Sequence, residues 1–157
     1  MANLDGIEKY LNAKGIDYKV VDLGGEVYSA ADVVAAGIDE GEVVKTLVVR
    51  TNDGFVALCV RGNDRVDFKK VRRLFGNRSE LATVDEVLKV VGVPIGAVCP
   101  VLIGIPVVFD RKVVDLKGVH LGSGDLKKGL EIKLSDLLGV VGKYTVDDLA
   151  LTRSNEG

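Results

Sequence analysis

The sequence predicts a mixed α+β fold, with a mostly antiparallel mixed sheet or a partly open barrel surrounded by short helices. Short segments bounded by capping residues and glycines predict helices, and β-branched apolar runs between them predict strands. These elements do not alternate at the regular spacing of a doubly wound fold. At 157 residues the chain has the length of one domain, which we place at residues 1–150, followed by a frayed tail at 151–157.

The helices are predicted from residues that can cap their N-termini. Thr83 and Glu86 have the spacing of a capping box ahead of a helix over 84–91. Glycines at positions 15 and 37 are placed to end the first two helices. The predicted helices begin after Asn3, Ser29, Asp67, Thr83 and Ser135, and the last of them covers 136–141.

The strands are predicted from runs of β-branched and apolar residues. The strongest pair covers 43–51 and 55–60, because the Asn-Asp-Gly sequence between them is typical of a hairpin turn. The segment 118–129 is rich in glycine, and we predict a connection there. The remaining predicted strands cover 18–23, 107–110, 113–116 and 130–134.

One uncharged run, residues 90–109, has the length of a membrane-spanning helix. It contains all three prolines of the chain, which would interrupt such a helix repeatedly. We therefore predict buried loops and strands there and no membrane contact. The N-terminus has charges where a signal peptide needs an apolar stretch, so we expect a cytoplasmic location.

Composition excludes several classes of enzyme. A single histidine, His120, rules out HExxH zinc proteases and multi-histidine metal cages, so no metal is expected. Cys59 and Cys99 form no CxxC pattern, which favours two free thiols over a disulfide. The glycine loop at 122–125 lacks the spacing of dinucleotide and P-loop fingerprints, and we expect no cofactor.

Lys45 interrupts the most apolar predicted strand. Period-two geometry places it on the face of Val43, Leu47 and Val49. On an inner face a lysine needs an anionic or hydrogen-bonding partner, which a ligand can supply, because an isolated buried charge is very costly. A two-sided strand with Lys45 at a solvated rim is the alternative.

The segment 92–100, GVPIGAVCP, is a second candidate for ligand binding. Glycines let a backbone approach a ligand closely, prolines stiffen the loop, and its amides can bind a phosphate or an oxyanion. A buried structural turn is the alternative. His120 fits either a general base or a structural role, and Cys99 could act as a nucleophile only beside a base.

Charge is distributed unevenly along the chain. Residues 61–78 carry a net charge of +5, whereas residues 1–42 carry −6. A basic face on an acidic protein suits a polyanionic partner, and a solvated helix face is the alternative.

Three motifs occur in a fixed order: Lys45 within VVKTLVV, a GxxxP segment at 96–100, and the run GSGDLKKGLEIKLSDLL. Together they resemble the YbaK/EbsC family of aminoacyl-tRNA editing domains, which is related to the editing insertion of bacterial prolyl-tRNA synthetase. The resemblance covers nearly the whole chain, from Tyr28 to Leu138. It implies an aminoacyl-tRNA deacylase that acts in trans on the ester of a mischarged tRNA, with a small amino acid such as alanine or cysteine on tRNA-Pro.

The resemblance also implies site residues. The family lysine falls on Lys45, which we expect to be catalytic. The implied substrate-binding residues are Tyr28, Thr46, Gly96, Ala97, Val98, Cys99, Pro100, Gly122, Ser123 and Gly124. From charge, we add candidate contacts to the tRNA backbone at Arg65, Lys69, Lys70, Arg72 and Arg73.

The implied partners are the acceptor end of aminoacyl-tRNA and prolyl-tRNA synthetase or another factor that delivers the tRNA. A monomer and a homodimer both fit the sequence. The nucleophile would be a water or a substrate hydroxyl or thiol, so positioning matters more than acid–base side chains, and His120 should matter less than Lys45. A non-catalytic tRNA- or nucleotide-binding module that uses the same pocket is the alternative function.

Overall fold

The computed structural model describes residues 3–152. Its helices are α1 (Leu4–Ala13), α2 (Ala30–Ala35), α3 (Phe68–Phe75), α4 (Val84–Val91) and α5 (Leu134–Val141). Its strands are β1 (Tyr18–Asp22), β2 (Val44–Thr51), β3 (Gly54–Arg61), β4 (Asp64–Val66), β5 (Glu80–Leu81), β6 (Val107–Asp110), β7 (Gly118–Gly122), β8 (Lys128–Lys133), β9 (Thr145–Asp147) and β10 (Ala150–Thr152).

The strands of residues 3–152 form three sheets. The largest has the order β5-β2-β3-β6-β9, with parallel pairing between β3 and β6 and between β6 and β9. A three-stranded antiparallel sheet, β1-β8-β7, and the pair β10-β4 complete the set. An isolated parallel β-bridge pairs Val43, the residue before β2, with His120 of β7. The predicted α+β fold with a mostly antiparallel mixed sheet is confirmed, and the sheets do not close into a barrel.

Each face of the five-stranded sheet has its own apolar core. On one face, Val48 belongs to a core that also contains residues of the three-stranded sheet, α1, α4 and α5. On the other face, Val49 packs in a cluster with Val71 of α3. Alternation along β2 therefore places Lys45 on the α3 side of the sheet. Both faces of β2 are covered, and Lys45 itself is half-buried at the end of the strand.

Local capping accounts for four of the five described helices. Asn3, Ser29 and Asp67 each accept a hydrogen bond from a main-chain N–H in the first turn of the helix that follows. Thr83 and Glu86 form both bonds of the capping box. These bonds satisfy donors that a helix cannot pair internally, so the predicted starts of α1, α2, α3 and α4 are confirmed.

The segment 113–116, predicted as a strand, is instead a 3₁₀ turn at Val113–Asp115. The carboxylate of Asp110 accepts a hydrogen bond from the main-chain N–H of Lys112 at 3.1 Å, which bends the chain directly after β6. The N–H of Leu116 then donates to the carbonyl of Val113 at 3.0 Å and closes the turn. A side-chain bond therefore overrides the β propensity of the two valines.

Two further predictions near the C-terminal half were wrong. Residues 118–122, predicted as part of a connection, form β7, because all five of them pair with residues 129–133 of β8. Ser135 does not cap α5, which begins at Leu134 without a side-chain cap. The N–H of Leu134 donates to the carbonyl of Lys117 at 2.7 Å, so the helix starts directly from the sheet.

The predicted frayed tail is wrong for its first two residues. Leu151 pairs with Arg65 and Thr152 with Asp64 in the β10-β4 ribbon. Residues 153–157 lie outside the described residues. A single domain over 1–150 stays a prediction.

The uncharged run 90–109 contains the end of α4, an irregular segment and β6, as predicted. Gly92, with φ of +78°, ends α4 in the left-handed conformation. Within residues 3–152, no helix is both long enough and apolar enough to cross a membrane.

Asp110 is a buried carboxylate that joins two segments of the chain. It accepts hydrogen bonds from the N–H groups of Leu149 at 2.8 Å and Lys112 at 3.1 Å. We expect Asp110→Ala to lower the free energy of unfolding by roughly 1–3 kcal/mol, because it leaves the buried N–H of Leu149 unpaired. Urea unfolding followed by circular dichroism measures this, with exposed Asp115→Ala as the control. Equal stability of the two variants would contradict the assignment.

Candidate functional site

A cavity of about 330 Å³ lies beside the first residues of β2. Its walls come from β2, β7, β8, helix α2 with the loop ahead of it, and the irregular segment after α4. Six residues predicted from the sequence line it: Tyr28, Lys45, Thr46, Gly96, Val98 and Gly122. Folding thus brings together four parts of the chain that are far apart in sequence.

Lys45 reaches the cavity from the end of β2. Its Nζ donates to the main-chain carbonyl of Gly62 at 3.5 Å. Lys128 also lines the cavity, and no aspartate or glutamate occurs among the lining residues in the described part of the chain. The charged side chains that line the cavity are therefore positive, which suits a ligand with an anionic or carbonyl oxygen.

Two glycines allow main-chain segments to pack directly against each other at the cavity wall. Gly96 has φ of +94°, and a Cβ there would lie 2.8 Å from both the Cα of Tyr28 and the carbonyl oxygen of Val27. A Cβ at Gly122 would overlap the carbonyl oxygen of Val98. These positions require glycine because the neighbouring atoms are backbone and cannot rotate away.

Tyr28 is an exposed residue at the rim, with 53% of its surface accessible. Its hydroxyl donates to the carboxylate of Glu26 at 2.8 Å. This hydrogen bond raises the pKa of Tyr28 above its ordinary value, so the phenol is protonated at neutral pH.

Five residues predicted to bind substrate do not line the cavity: Ala97, Cys99, Pro100, Ser123 and Gly124. Three of them support the wall through hydrogen bonds. The carbonyl of Ala97 accepts from the N–H of Gly124 at 2.8 Å, and the hydroxyl of Ser123 donates to the carbonyl of Lys128 at 2.6 Å.

The two cysteines are free and fully buried. Burial raises the pKa of both thiols to about 12, so they are protonated at neutral pH. Because the thiolate is the nucleophilic form, Cys99 is unsuited to covalent catalysis and serves as a small core residue.

His120 is 1% exposed and lines the cavity from β7. Its Nδ1 lies 3.2 Å from the Oε2 atom of Glu131, the residue opposite it on β8. A Cβ at Gly129 would overlap the imidazole, so the glycine makes room for the ring. Among the described residues, no group of three or more metal-ligating side chains comes together.

The sequence profile of the aminoacyl-tRNA editing domain matches residues 25–140, which include every residue of the cavity wall except Leu23. The chain belongs to this family.

The curated relatives of the editing domain include proline–tRNA ligases. That of Caldicellulosiruptor saccharolyticus is 35% identical over 101 residues, which are 63% of this chain and 18% of the ligase. That of Streptococcus sanguinis is 32% identical over 99 residues, 60% of this chain and 16% of the ligase. The chain thus spans under a fifth of the length of these relatives.

Two solved structures share the fold of this editing domain over nearly its whole length. The hypothetical protein APE2540 is 30% identical with a TM-score of 0.82, covering 92% of this chain and 99% of that one. A protein described as a candidate trans-editing enzyme for prolyl tRNA synthetase is 29% identical with a TM-score of 0.79, covering 92% and 94%.

The predicted tRNA-binding side chains of the editing domain lie outside the cavity, on β4 and α3. Arg65, Lys69, Arg72 and Arg73 are exposed. Lys70 is held by Asp148 at 2.8 Å and by the carbonyl of Ala150 at 3.2 Å. Strand β4 and then helix α3 follow Gly62, a cavity residue. Just beyond the end of α3, the N–H of Arg78 donates to Asn52 in the turn of the β2–β3 hairpin. The exposed basic side chains therefore extend from the cavity end of the hairpin toward its turn.

Sequence reasoning missed several wall residues. Gly62 and Gly129 are the most informative, because a side chain at either position would collide with its neighbours. A glycine within or beside a β-branched strand is a signal of close backbone approach, and it was available at both positions. The apolar wall residues Val27, Val33 and Leu47 carry no such signal.

Proposed function

We propose that this chain is an aminoacyl-tRNA deacylase that removes a wrongly attached small amino acid, such as alanine or cysteine from tRNA-Pro, in trans. The observation that carries the proposal is the cavity: it holds a half-buried lysine between main-chain walls, within the region that matches the editing domain. The proline–tRNA ligase relatives support tRNA-Pro as the substrate, and the likeness to a candidate trans-editing enzyme supports action in trans.

The proposed mechanism relies on positioning. The ammonium group of Lys45 binds an oxygen of the ester or of the terminal nucleotide and stabilises negative charge as a water or a substrate hydroxyl or thiol attacks the carbonyl carbon. The walls at Gly96 and Gly122 fix the ester and limit access of bulk water. The bond from the carbonyl carbon to the ribose oxygen then breaks, and the proton of the attacking group passes to that oxygen, which restores the terminal hydroxyl of the tRNA. Water as the nucleophile releases the free amino acid, whereas a hydroxyl or thiol of the amino acid's own side chain releases a cyclic ester or thioester, which water then opens.

The size of the cavity supports a small acyl group. At about 330 Å³, with walls that are largely aliphatic, it suits a short side chain together with part of the terminal adenosine. One methylene changes binding by only about 1–3 kcal/mol, so discrimination among small amino acids depends on fine differences in the walls.

The proposal is tested with a panel of mischarged tRNAs, led by alanyl- and cysteinyl-tRNA-Pro. We expect faster loss of the amino acid from at least one of these two and little effect on prolyl-tRNA-Pro. A non-catalytic tRNA-binding module would bind the same tRNAs but leave the ester unchanged or protect it. Because its substrate is made where translation occurs, we propose action in the cytoplasm, with prolyl-tRNA synthetase or another tRNA-delivering factor as a partner.

The exposed basic residues of α3 and β4 are proposed to contact the acceptor stem. One side of α3, with Phe68, Val71 and Phe75, packs in the apolar cluster that contains Val49 of β2. Lys69 and Arg73 therefore lie on the outer side of the helix. Such side chains bind phosphates without reading sequence. With the 3′ end in the cavity, the stem would lie along the hairpin over these residues.

We expect Lys69→Ala with Arg73→Ala to raise KM for mischarged tRNA several-fold. The salt dependence of log KM should fall by roughly 0.9 for each phosphate that the variant no longer neutralises. Hydrolysis of 3′-O-alanyl adenosine, which has no stem, should be unchanged. Steady-state kinetics at several salt concentrations measure both. An equal loss of kcat/KM with the two substrates, or an unchanged KM for tRNA, would contradict this docking.

A further inference from the structure

The imidazole of His120 has one nitrogen whose role the fold does not explain. Its Nε2 is buried, and it has no hydrogen-bond partner within the described residues. Buried polar atoms are nearly always paired, because an unpaired one loses its bonds to water without compensation. The ring is nevertheless fixed, since the contact with Glu131 and the close approach of Gly129 hold it in place.

This nitrogen lies at the wall of the cavity. Both His120 and Gly129 line the cavity, and Nε2 is the atom closest to the position that a Cβ of residue 129 would take. The imidazole therefore fills the space that a side chain at 129 would take, and Nε2 packs against the main chain of this wall residue. An unpaired atom at this place points to a partner that arrives with the ligand.

Glu131 determines which hydrogen-bonding role Nε2 takes. Its carboxylate lies 3.2 Å from Nδ1 and accepts the hydrogen bond of that nitrogen, so in the neutral ring the lone pair lies on Nε2. Nε2 is then an acceptor, and the missing partner is a donor.

The other side-chain acceptors at the cavity already have partners. The hydroxyl of Thr46 contacts Cys59, that of Tyr28 is bonded to Glu26, and that of Ser29 accepts from the N–H of Asp32. No carboxylate lines the cavity within the described residues. Each of these hydroxyls thus has one hydrogen-bond partner and keeps a further lone pair, whereas Nε2 of His120, a ring held by Glu131, has no partner at all among the described residues.

We propose that Nε2 of His120 binds the α-amino group of the aminoacyl ester, and that Glu131 is a positioning residue that fixes the imidazole tautomer. This rests on the proposed deacylase function and deepens it. His120 thereby orients the acyl group relative to Lys45, and the site recognises α-aminoacyl esters as a class in addition to the size of their side chains.

The test combines a change in the substrate with a change in the protein. Kinetics are measured for tRNA-Pro carrying alanine and for tRNA-Pro carrying propionate, which lacks only the amino group, and each rate is divided by the uncatalysed rate. We expect His120→Ala to lower kcat/KM for the alanyl ester roughly tenfold, as loss of a hydrogen bond to a charged group does. The propionyl ester should change less than about twofold. Equal losses for both esters, or no loss for either, would overturn the proposal.

Glu131 provides a second variant pair. Glu131→Gln keeps an oxygen that can accept from Nδ1 and should behave like the wild type. Glu131→Ala should lower kcat/KM for the alanyl ester alone, by less than His120→Ala does. Equal effects of the two substitutions, or an effect on the propionyl ester, would reject the positioning role.

Binding separates this proposal from the deacylase function. The probes are adenosines in which a 3′-amide replaces the ester, one with an alanyl and one with a propionyl group, so neither is hydrolysed. In the wild-type protein we expect the alanyl probe to bind more tightly and to shift the nitrogen NMR signal of His120 Nε2, even if no tRNA is deacylated. Equal binding with no shift would reject the role of His120, whatever the outcome of the tRNA panel or the folding of the variants.

Discussion

Lys45→Ala should lower kcat/KM for the best mischarged tRNA by roughly 10²–10³-fold, the range seen when one group that stabilises a developing oxyanion is removed. The half-buried Lys45 on β2 provides a charged hydrogen-bond donor at the cavity. Its bond to the carbonyl of Gly62, another lining residue, keeps the ammonium group at the cavity wall. Single-turnover release of labelled amino acid measures the effect. Lys45→Arg should recover little, because the planar guanidinium has a different shape and hydrogen-bonding geometry.

The matched control is Lys89→Ala, which removes the same charge from an exposed position on α4, away from the cavity. We expect its kcat/KM to stay within about twofold of the wild type, since exposed charges contribute little individually. Circular dichroism should show both variants folded. Full activity of a folded Lys45→Ala variant would remove the lysine from the mechanism.

Gly96→Ala should be the most damaging single methyl addition in the cavity wall. A left-handed residue with a side chain costs roughly 1–3 kcal/mol. Overlap of the new Cβ with the main chain at Val27 and Tyr28 adds roughly another 1–3 kcal/mol, as overpacking does. Because these neighbours also line the cavity, the wall must move. We expect the rate of deacylation to fall at least tenfold, and the free energy of unfolding to fall as well.

Gly104→Ala separates conformational strain from overlap. Gly104 also has a positive φ, +81°, but no atom lies within 4 Å of a Cβ placed there. We expect this variant to lose only the strain component of stability and to keep its activity. Denaturant unfolding and deacylation rates of the two variants make the comparison. If both variants lose the same stability and activity, close packing at Gly96 is not what shapes the wall.

The parts of the fold that could be predicted from the sequence depend on local bonds. Asn3, Ser29 and Thr83 each cap a helix within three residues, so the sequence itself contains both partners. Strand β7 could not be predicted in this way. Its extended conformation depends on pairing with β8, and its glycine content favours a loop when the segment is considered alone.

The residues of the candidate site differ in the same way: some were predictable from their local sequence, and others depend on pairing between distant segments. Lys45 was predictable because a charge within an apolar strand requires an explanation, and the resemblance to a known family assigned it a role. Ala97 and Cys99 belong to the predicted motif but face the core, because neighbours in an irregular loop do not share one side of it. The pairing of His120 with Glu131 depends on the register of β7 and β8, which residue spacing alone does not fix.

The most direct test of the central claim is the rate at which alanyl- and cysteinyl-tRNA-Pro lose their amino acid in the presence of excess protein. The proposed function predicts that the wild-type chain accelerates this loss for at least one of them and that Lys45→Ala does not. Tight tRNA binding with an ester lifetime equal to or longer than that of the free aminoacyl-tRNA would contradict hydrolysis and favour the non-catalytic binding module.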